Sequence, residues 1–285
     1  MLPRSETKTI STSQFCVQLY LDYFNKRLKV TNYSGCLDKM LVNIQDLIDD
    51  KRFTKIIIHS KQKDIMKFLS EGYSFEAIFS GFFNGSDNYA LAFYKTNERR
   101  SSVNWVKEDQ IIKDVVSKGR DYQLSAVPSA YHFRRANVRD ARQLAELYAK
   151  VFDVYPTPMN DWNYVSKVLE GDTIFFIVET EHKIVSAASA DIDREFGNAE
   201  LTDCATLLEH RKYGLIKRLL IRLEDELRQE HIYNAYSIAR ALSFGMNAAF
   251  YQLNYSYRGR LINNCYIYDK LEDMNVWVKD LSKST

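Results

Sequence analysis

One stretch constrains this chain more than any other: Leu207-Leu-Glu-His-Arg211-Lys-Tyr-Gly214-Leu-Ile216, followed at once by Lys-Arg-Leu-Leu-Ile-Arg-Leu-Glu. The β-rich run Ala199–Thr206 ends there, an Arg-x-x-Gly turn follows, and an amphipathic helix begins. Such a joint aims several backbone N–H groups at one point on a helix N-terminus, where the helix dipole favours an anion. Gly214 permits close backbone approach, and Arg211 and Lys212 add positive charge. The chemistry calls for a pyrophosphate. With no nucleotide fingerprint elsewhere, coenzyme A is the leading ligand.

The remaining elements follow from periodicity. Phe15–Tyr23 alternates at period two and turns at Asn25-Lys26 into Arg27–Val30, which predicts a hairpin. Leu37, Met40, Leu41, Ile44, Leu47 and Ile48 recur at helical spacing, and Lys55–His59 reads as a buried strand. Ser60 is placed to cap a second helix that Gly72 ends. Strands over 73–83 and 89–95 join across Asn84-Gly85. The composition turns polar over 98–130, the expected linker or bridging segment between an N-terminal α/β domain (1–97) and a second domain (131–285). Asn137 and Asp140 form a capping-box pattern ahead of a helix carrying Val138, Ala141, Leu144, Ala145, Tyr148 and Val151 on one stripe. A hairpin around Glu181-His182, the strand into the phosphate turn, a helix burying Leu219, Leu220, Leu223 and Leu227, a strand at 235–239, a short helix at 244–253 and a final strand at 261–267 complete an α/β unit with a mixed sheet. The halves run in much the same order, and Phe68-Leu-Ser-Glu-Gly-Tyr73 echoes Phe250-Tyr-Gln-Leu-Asn-Tyr255. The first half therefore reads as a degenerate copy of the second. Its corresponding turn, Tyr33-Ser-Gly-Cys36, lacks Arg-x-x-Gly and should not bind the cofactor.

This order of elements, with Arg211-x-x-Gly214 before the helix and Asn247-Ala-Ala-Phe-Tyr251-Gln-Leu-Asn-Tyr255 after it, resembles the GNAT superfamily of acetyl-CoA-dependent N-acetyltransferases over roughly 132–267. Ile216, Lys212 and Leu208 stand where that family keeps Gly or Ala, Gly and Pro. Four longer strings, 200–206, 236–247, 259–265 and 271–277, resemble the β-lysine N6-acetyltransferases, enzymes paired with lysine 2,3-aminomutase in making a compatible solute. The N-terminal string Gly81–Asp87 carries the likeness over most of the chain. The resemblance implies a C-terminal GNAT fold. Acetyl-CoA is then co-substrate, bound by Thr206, Leu207, Arg211, Lys212, Tyr213, Gly214, Leu215, Ile216 and Asn247. It also implies direct acetyl transfer to the N6 amine of β-lysine without an acetyl-enzyme.

The chemistry sets demands on individual residues. An alkyl ammonium near pKa 10.4 must lose a proton before it attacks a thioester, and a carboxylate can take it. Glu200 and Asp203 are the candidates; strand alternation points them to opposite faces, so only one can face the cleft, and Glu200 is narrowly favoured because it matches the position where some GNAT enzymes keep a base. Either is equally readable as an ion-pair partner. Tyr251 takes the family's acid position, although a chain with 19 Tyr has many that only pack. Asn247, a turn earlier, is placed to bond the pantetheine arm or the strand backbone. Arg240 suits a substrate carboxylate by its bidentate geometry, with Asn263, Asn264 and Arg260 weaker candidates. Cys204 reads as a small core residue, and the five His show no ligand spacing, so no metal is expected.

A net charge of +2 with Lys and Arg spread among acids argues against nucleic acid and anionic membranes. Met1–Lys8 lacks the apolar core of a signal peptide, no apolar run reaches bilayer-spanning length, and Cys16, Cys36, Cys204 and Cys265 suggest no pairing. The expectation is a reduced, cytoplasmic protein acting on a small-molecule amine; a dimer is compatible with the residues. Two alternatives stay open: the same fold acting on lysine, a polyamine, an antibiotic amine or a protein lysine, and a non-catalytic acyl-CoA sensor.

Overall fold

The computed structural model describes residues 4–124 and 126–283. Along the chain these form β1 (Ser5–Ser11), β2 (Phe15–Asp22), β3 (Arg27–Gly35), α1 (Leu37–Asn43), α2 (Gln45–Asp49), β4 (Lys55–Ser60), α3 (Ile65–Ser70), β5 (Ser74–Phe83) and β6 (Ser86–Tyr94). Helices α4 (Asn97–Arg100) and α5 (Trp105–Ser117) follow. The second half has β7 (His132–Arg135), α6 (Ala141–Val151), α7 (Trp162–Leu169), β8 (Ile174–Thr180), β9 (Lys183–Asp193), β10 (Asn198–Thr206), α8 (Leu215–Gln229), β11 (Asn234–Arg240), α9 (Phe244–Gln252), β12 (Ser256–Ile267) and β13 (Lys270–Asp280). No helix among the described residues is long and apolar enough to cross a membrane.

All the strands share one mixed sheet in the order β1-β2-β3-β4-β6-β5-β12-β13-β11-β10-β9-β8-β7. Its middle is a palindrome: β2, β3, β4, β6 and β5 are mirrored by β9, β10, β11, β13 and β12. The pairing senses match as well, since β3 runs parallel to β4 and β10 parallel to β11, with antiparallel neighbours on either side. The first half thus repeats the strand arrangement of the second. At the seam Gly259 pairs with Ala77. Counted from Tyr73 and Tyr255 of the echoing strings, these are equivalent positions, so the repeat axis passes between them. Gly259 adopts φ +130 there, and a Cβ would collide with the Glu76 carbonyl and Ala77. The echo is also geometric, with Phe68 on Tyr73 at 5.7 Å and Phe250 on Tyr255 at 5.1 Å, both edge-on.

Local chemistry explains most turns. Asn84 (φ +47) and Gly85 (φ +96), like Glu181 (φ +49) and His182 (φ +59), take the two left-handed positions of tight hairpins. Asn137 and Asp140 form the capping box. Three expectations need correction. Ser60 ends β4 and donates to the Lys61 carbonyl instead of capping a helix. Val138 is 42% exposed, so the stripe on α6 starts at Ala141. The last strand is not 261–267: β12 hairpins into β13, which lies between β12 and β11 and is almost wholly buried.

Three layers position the site. Helix α8 packs with α9 and Val115 of α5 on one face of the C-terminal strands. Helices α6 and α7 pack on the opposite face around Phe175, Ile177 and Ala187. The rest of that opposite face is covered by the N-terminal strands, where Phe79, Phe82 and Ala90 share a core with Val276, Val278 and Tyr236.

Candidate active site

Strands β10 and β11 pair only over Asn198–Glu200 and Asn234–Tyr236. Beyond that they diverge, leaving the facing backbone edge of β11 without a strand partner. A cavity of about 510 Å³ fills the split, lined by Leu201–Cys204 and Thr206 of β10, Ser237–Arg240 of β11, Gly214–Lys217 at the start of α8, and Gly245, Met246, Ala249 and Phe250 of α9. Phe152, Tyr155 and Tyr268 close one side.

The phosphate turn is a 3₁₀ segment, Leu208–Tyr213, ending in Gly214 at φ +62, the left-handed conformation that favours glycine. Helix α8 starts at the next residue, so its free first-turn N–H groups and positive dipole end face the cavity. A Cβ on Gly214 would meet no atom within 4 Å; it would project into open cradle space. Arg211 also lines the cavity and donates from Nε to the Thr206 carbonyl (3.1 Å), which orients its guanidinium. An open helix N-terminus flanked by Arg211 and Lys217 fits a pyrophosphate. Thr206, Arg211, Gly214, Leu215 and Ile216 therefore line the cavity, whereas Leu207, Lys212 and Tyr213 do not. Leu207 bonds Val185 through its backbone (3.0 Å), and Tyr213 carries Lys212 over its ring while packing on Tyr131.

The two carboxylates do not point to opposite faces. Between Thr202, opposite Ser189, and Ala205, opposite Ala187, Asp203 and Cys204 together face Ala188. This is a β-bulge, with Asp203 at φ +49. Ala199 and Leu201 enter the core beneath α8, so alternation sends Glu200 to the other face. The extra residue brings Asp203 to that same face, where it accepts from Ser189 Oγ (2.8 Å) and Tyr155 Oη (3.1 Å). Burial pushes the Asp203 carboxyl up to about 6 against those two hydrogen bonds. Burial likewise pushes Glu200 up to about 7, opposed by the ammonium of Lys29 from the N-terminal half. Of the two, only Asp203 lines the cavity.

On α9 the residues fall differently from the sequence expectation. Phe250 lines the cavity and Tyr251 does not. The Tyr251 ring packs on Trp277 (6.3 Å) beneath the Arg120 guanidinium (4.3 Å). Asn247 is fully buried: its Nδ2 donates to the carbonyls of Arg240 (2.9 Å) and Ser243 (2.8 Å), and its Oδ1 accepts from Asn275 (2.9 Å) and Trp277 (2.9 Å). Its bonding capacity is spent on the turn from β11 into α9, which matches the strand-backbone alternative and leaves nothing for a pantetheine arm.

Arg240 reaches the cavity, stacked on Tyr268 (4.7 Å) and paired with buried Glu272 (3.1 Å). Asn263 and Asn264 lie elsewhere, in the irregular stretch of β12 between Leu261 and Cys265. Asn263 Nδ2 holds the carbonyls of Glu98, Arg99 and Ser101 at the end of α4, and the Asn264 carbonyl accepts from Arg99. Arg260 pairs with Glu108 and Asp109 of α5. Cys204 faces the cavity, but burial raises its thiol pKa, so it is a poor nucleophile. Sequence reasoning missed Tyr155 and Ser189; an aromatic in the Asp153-Val-Tyr-Pro156 loop was the one available signal for the first.

Residues 139–255 match the profile of the acetyltransferase (GNAT) family. The N-acetyltransferase YodP of Bacillus subtilis is 37% identical over 274 residues, covering 96% of this chain and 99% of that protein. A β-lysine N(6)-acetyltransferase of Methanosarcina mazei is 33% identical over 270 residues, covering 88% of this chain and 100% of that protein. Among solved structures, an N-acetyltransferase from Staphylococcus aureus Mu50 aligns at 18% identity with a TM-score of 0.47, over 54% of this chain and 99% of that one.

Proposed function

From the premise that this chain belongs to the acetyltransferase (GNAT) family and is an acetyl-CoA-dependent acyltransferase, we propose that its acceptor is the N6 amine of β-lysine (3,6-diaminohexanoate). The full-length relation to a β-lysine enzyme supports this reading. The observation that carries it is the bulge of β10, which sets Asp203, at the cavity wall, on the same sheet face as Glu200. Two carboxylates on one face suit an acceptor with two ammonium groups, because each cation lowers the cost of a half-buried anion.

Asp203 is the base in this account. At about 6 its carboxyl is ionised at neutral pH yet basic enough to accept a proton from a bound ammonium, directly or through water. The hydroxyls of Tyr155 and Ser189 fix its orientation. Bound acetyl-CoA supplies the activated acyl group as a thioester. Arg211, Lys217 and the N–H groups of Gly214–Lys217 would hold its phosphates, and the unpaired edge of β11 offers backbone groups to its arm. Phe250, which carries no hydroxyl, walls the cavity, and Tyr251 packs outside it, so this reading assigns proton transfer to Asp203 and none to Tyr251. A thiol-release assay on β-lysine, lysine, ornithine and spermidine tests the reading. Preferred use of β-lysine, with loss of turnover in Asp203→Asn, supports it; preference for another amine moves the acceptor, and full activity of Asp203→Asn removes the base.

A further inference from the structure

The N-terminal half presents polar side chains to the open face of β10. Leu28 and Val30 of β3 enter the core beneath α1–α3, so Lys29 between them points the other way, towards the C-terminal half. Its depth along the junction is fixed by bonds that cross it. Asn32, three residues on, reaches the Glu195 carboxylate (3.4 Å). Asn84 bonds the Glu195 carbonyl (3.0 Å), and Asn198 bonds the Phe82 carbonyl (2.7 Å). These contacts seat the tip of the β9–β10 hairpin against β3 and the β5–β6 turn. Glu200 lies two residues inward from Asn198, and Asp191 pairs directly across from Glu200.

Two groups in this junction have no polar protein partner among the described residues: the half-buried ammonium of Lys29 and the enclosed Nδ1 of His59, the second being an exception among buried polar atoms. Among the described residues, Lys29 makes no ion pair; its ammonium only approaches the Tyr20 ring (5.6 Å). The enclosed Nδ1 of His59, whose ring packs on Phe79 and Phe82, has no hydrogen-bond partner. Lys29, Glu200 and Asp191 are nonetheless accessible enough to meet a solute, the first two being half-buried and Asp191 exposed. Charge neighbours agree with the geometry: the ammonium of Lys29 and the carboxylate of Glu200 influence each other, and Lys29 also bears on His59.

We infer that the junction between the two halves is the acceptor-recognition site, where Lys29 binds the acceptor's carboxylate and the Asp191–Glu200 pair binds its second ammonium. This rests on the acetyl-transfer reading above and adds how the acceptor is told apart from other amines. The spacing fits. The Asp203 carboxylate accepts from Ser189, which stands two residues from Asp191, the partner of Glu200, so the two carboxylates lie roughly 7 Å apart along the strands, and the amines of an extended 1,4-diamine lie about 6 Å apart. An acceptor with its terminal amine at Asp203 would have its second ammonium at Glu200 and its carboxylate beyond, on Lys29, with neutral His59 able to donate or accept. The N-terminal half would thus have exchanged cofactor binding for substrate selection.

Two truncated acceptors separate the contributions: 1,4-diaminopentane lacks only the carboxylate of β-lysine, and 6-aminohexanoate lacks only its second amine. Lys29→Met should lower kcat/KM for β-lysine at least 30-fold, mostly through KM, and lower that for 1,4-diaminopentane less than threefold. Lys29→Arg should recover most of the loss. Asp191→Asn, at an exposed position where folding is not at stake, should narrow the preference for β-lysine over 6-aminohexanoate at least fivefold. Equal effects of Lys29→Met on acceptors with and without a carboxylate, or no effect on either, would overturn the inference. The two readings fail separately. A wild-type enzyme that prefers lysine to β-lysine refutes only the substrate, and the junction stands if Lys29→Met then erases the preference for lysine over 1,5-diaminopentane.

Discussion

Replacing Asn247 by alanine should unfold this protein more readily rather than weaken its hold on coenzyme A. The side chain is fully buried and joins four elements of one network: two carbonyls at the end of β11 and the turn after it, the Asn275 amide and the Trp277 indole of β13. Alanine leaves two buried donors, Asn275 Nδ2 and Trp277 Nε1, without an acceptor. Each orphaned donor costs about 1–3 kcal/mol, so the loss is about 4 kcal/mol before any cavity term. For a chain of this size that is a fall in melting temperature of about 10 °C. Differential scanning calorimetry at fixed pH checks it. A cycle with Trp277→Phe, which removes one donor cleanly, should show coupling of about 1–2 kcal/mol, the double variant costing less than the sum. A melting temperature within about 2 °C of wild type, together with a tenfold rise in the KM for acetyl-CoA, would refute this reasoning and return Asn247 to the cofactor site.

Other outcomes follow from the same geometry. Tyr251→Phe should change kcat less than twofold, because the ring lies under Arg120 outside the cavity; a drop beyond tenfold in steady-state assays would restore its role as acid. Gly214→Ala should cost about 1–2 kcal/mol for forcing a Cβ into the left-handed region and raise the KM for acetyl-CoA at least tenfold; an unchanged KM by thiol-release titration would mean the glycine serves only the chain path. The kcat/KM profile should rise with pH through a limb near 6 as Asp203 ionises, and Asp203→Asn should lose that limb with a fall in rate of about 10²–10⁴. The linkage sign is opposite to that of an ion-paired carboxylate. Because folding raises the Asp203 pKa from 3.8 to about 6, its ionisation destabilises the protein increasingly between those values, so Asp203→Asn should stabilise the fold at pH 7 by up to about 3 kcal/mol, read as a higher melting temperature.

Much of the fold is written locally. The phosphate turn, the Asn84-Gly85 and Glu181-His182 hairpins and the capping box each depend on a few adjacent residues whose backbone preferences are strong. The repeat of the halves was legible because Phe68–Tyr73 and Phe250–Tyr255 keep the same aromatic pair at the same spacing. Strand β13 escaped because the Tyr268-Asp269 turn before it carries no glycine or Asn-Gly signal. The faces of the carboxylates were misread because period-two alternation cannot foresee one extra residue, and nothing in Leu201–Cys204 announces a bulge. Helix α9 is apolar nearly all round, so no stripe distinguishes Phe250 from Tyr251, although one residue of helix rotation separates cavity from packing. Asn263 and Asn264 resembled substrate ligands on the strength of their amides, yet they grip α4 through an irregular strand. The junction of Lys29 with Glu200 was out of reach altogether, since it forms only when the two halves close on each other.

The most direct test of the central claim is a competition assay. Limiting isotopically labelled acetyl-CoA is offered to wild-type enzyme with equimolar β-lysine, lysine and spermidine, and the acetylated amine is identified by NMR and mass. The account predicts a dominant single product, β-lysine acetylated on N6 alone. Label chiefly on lysine or spermidine, or on the 3-amine of β-lysine, would contradict it.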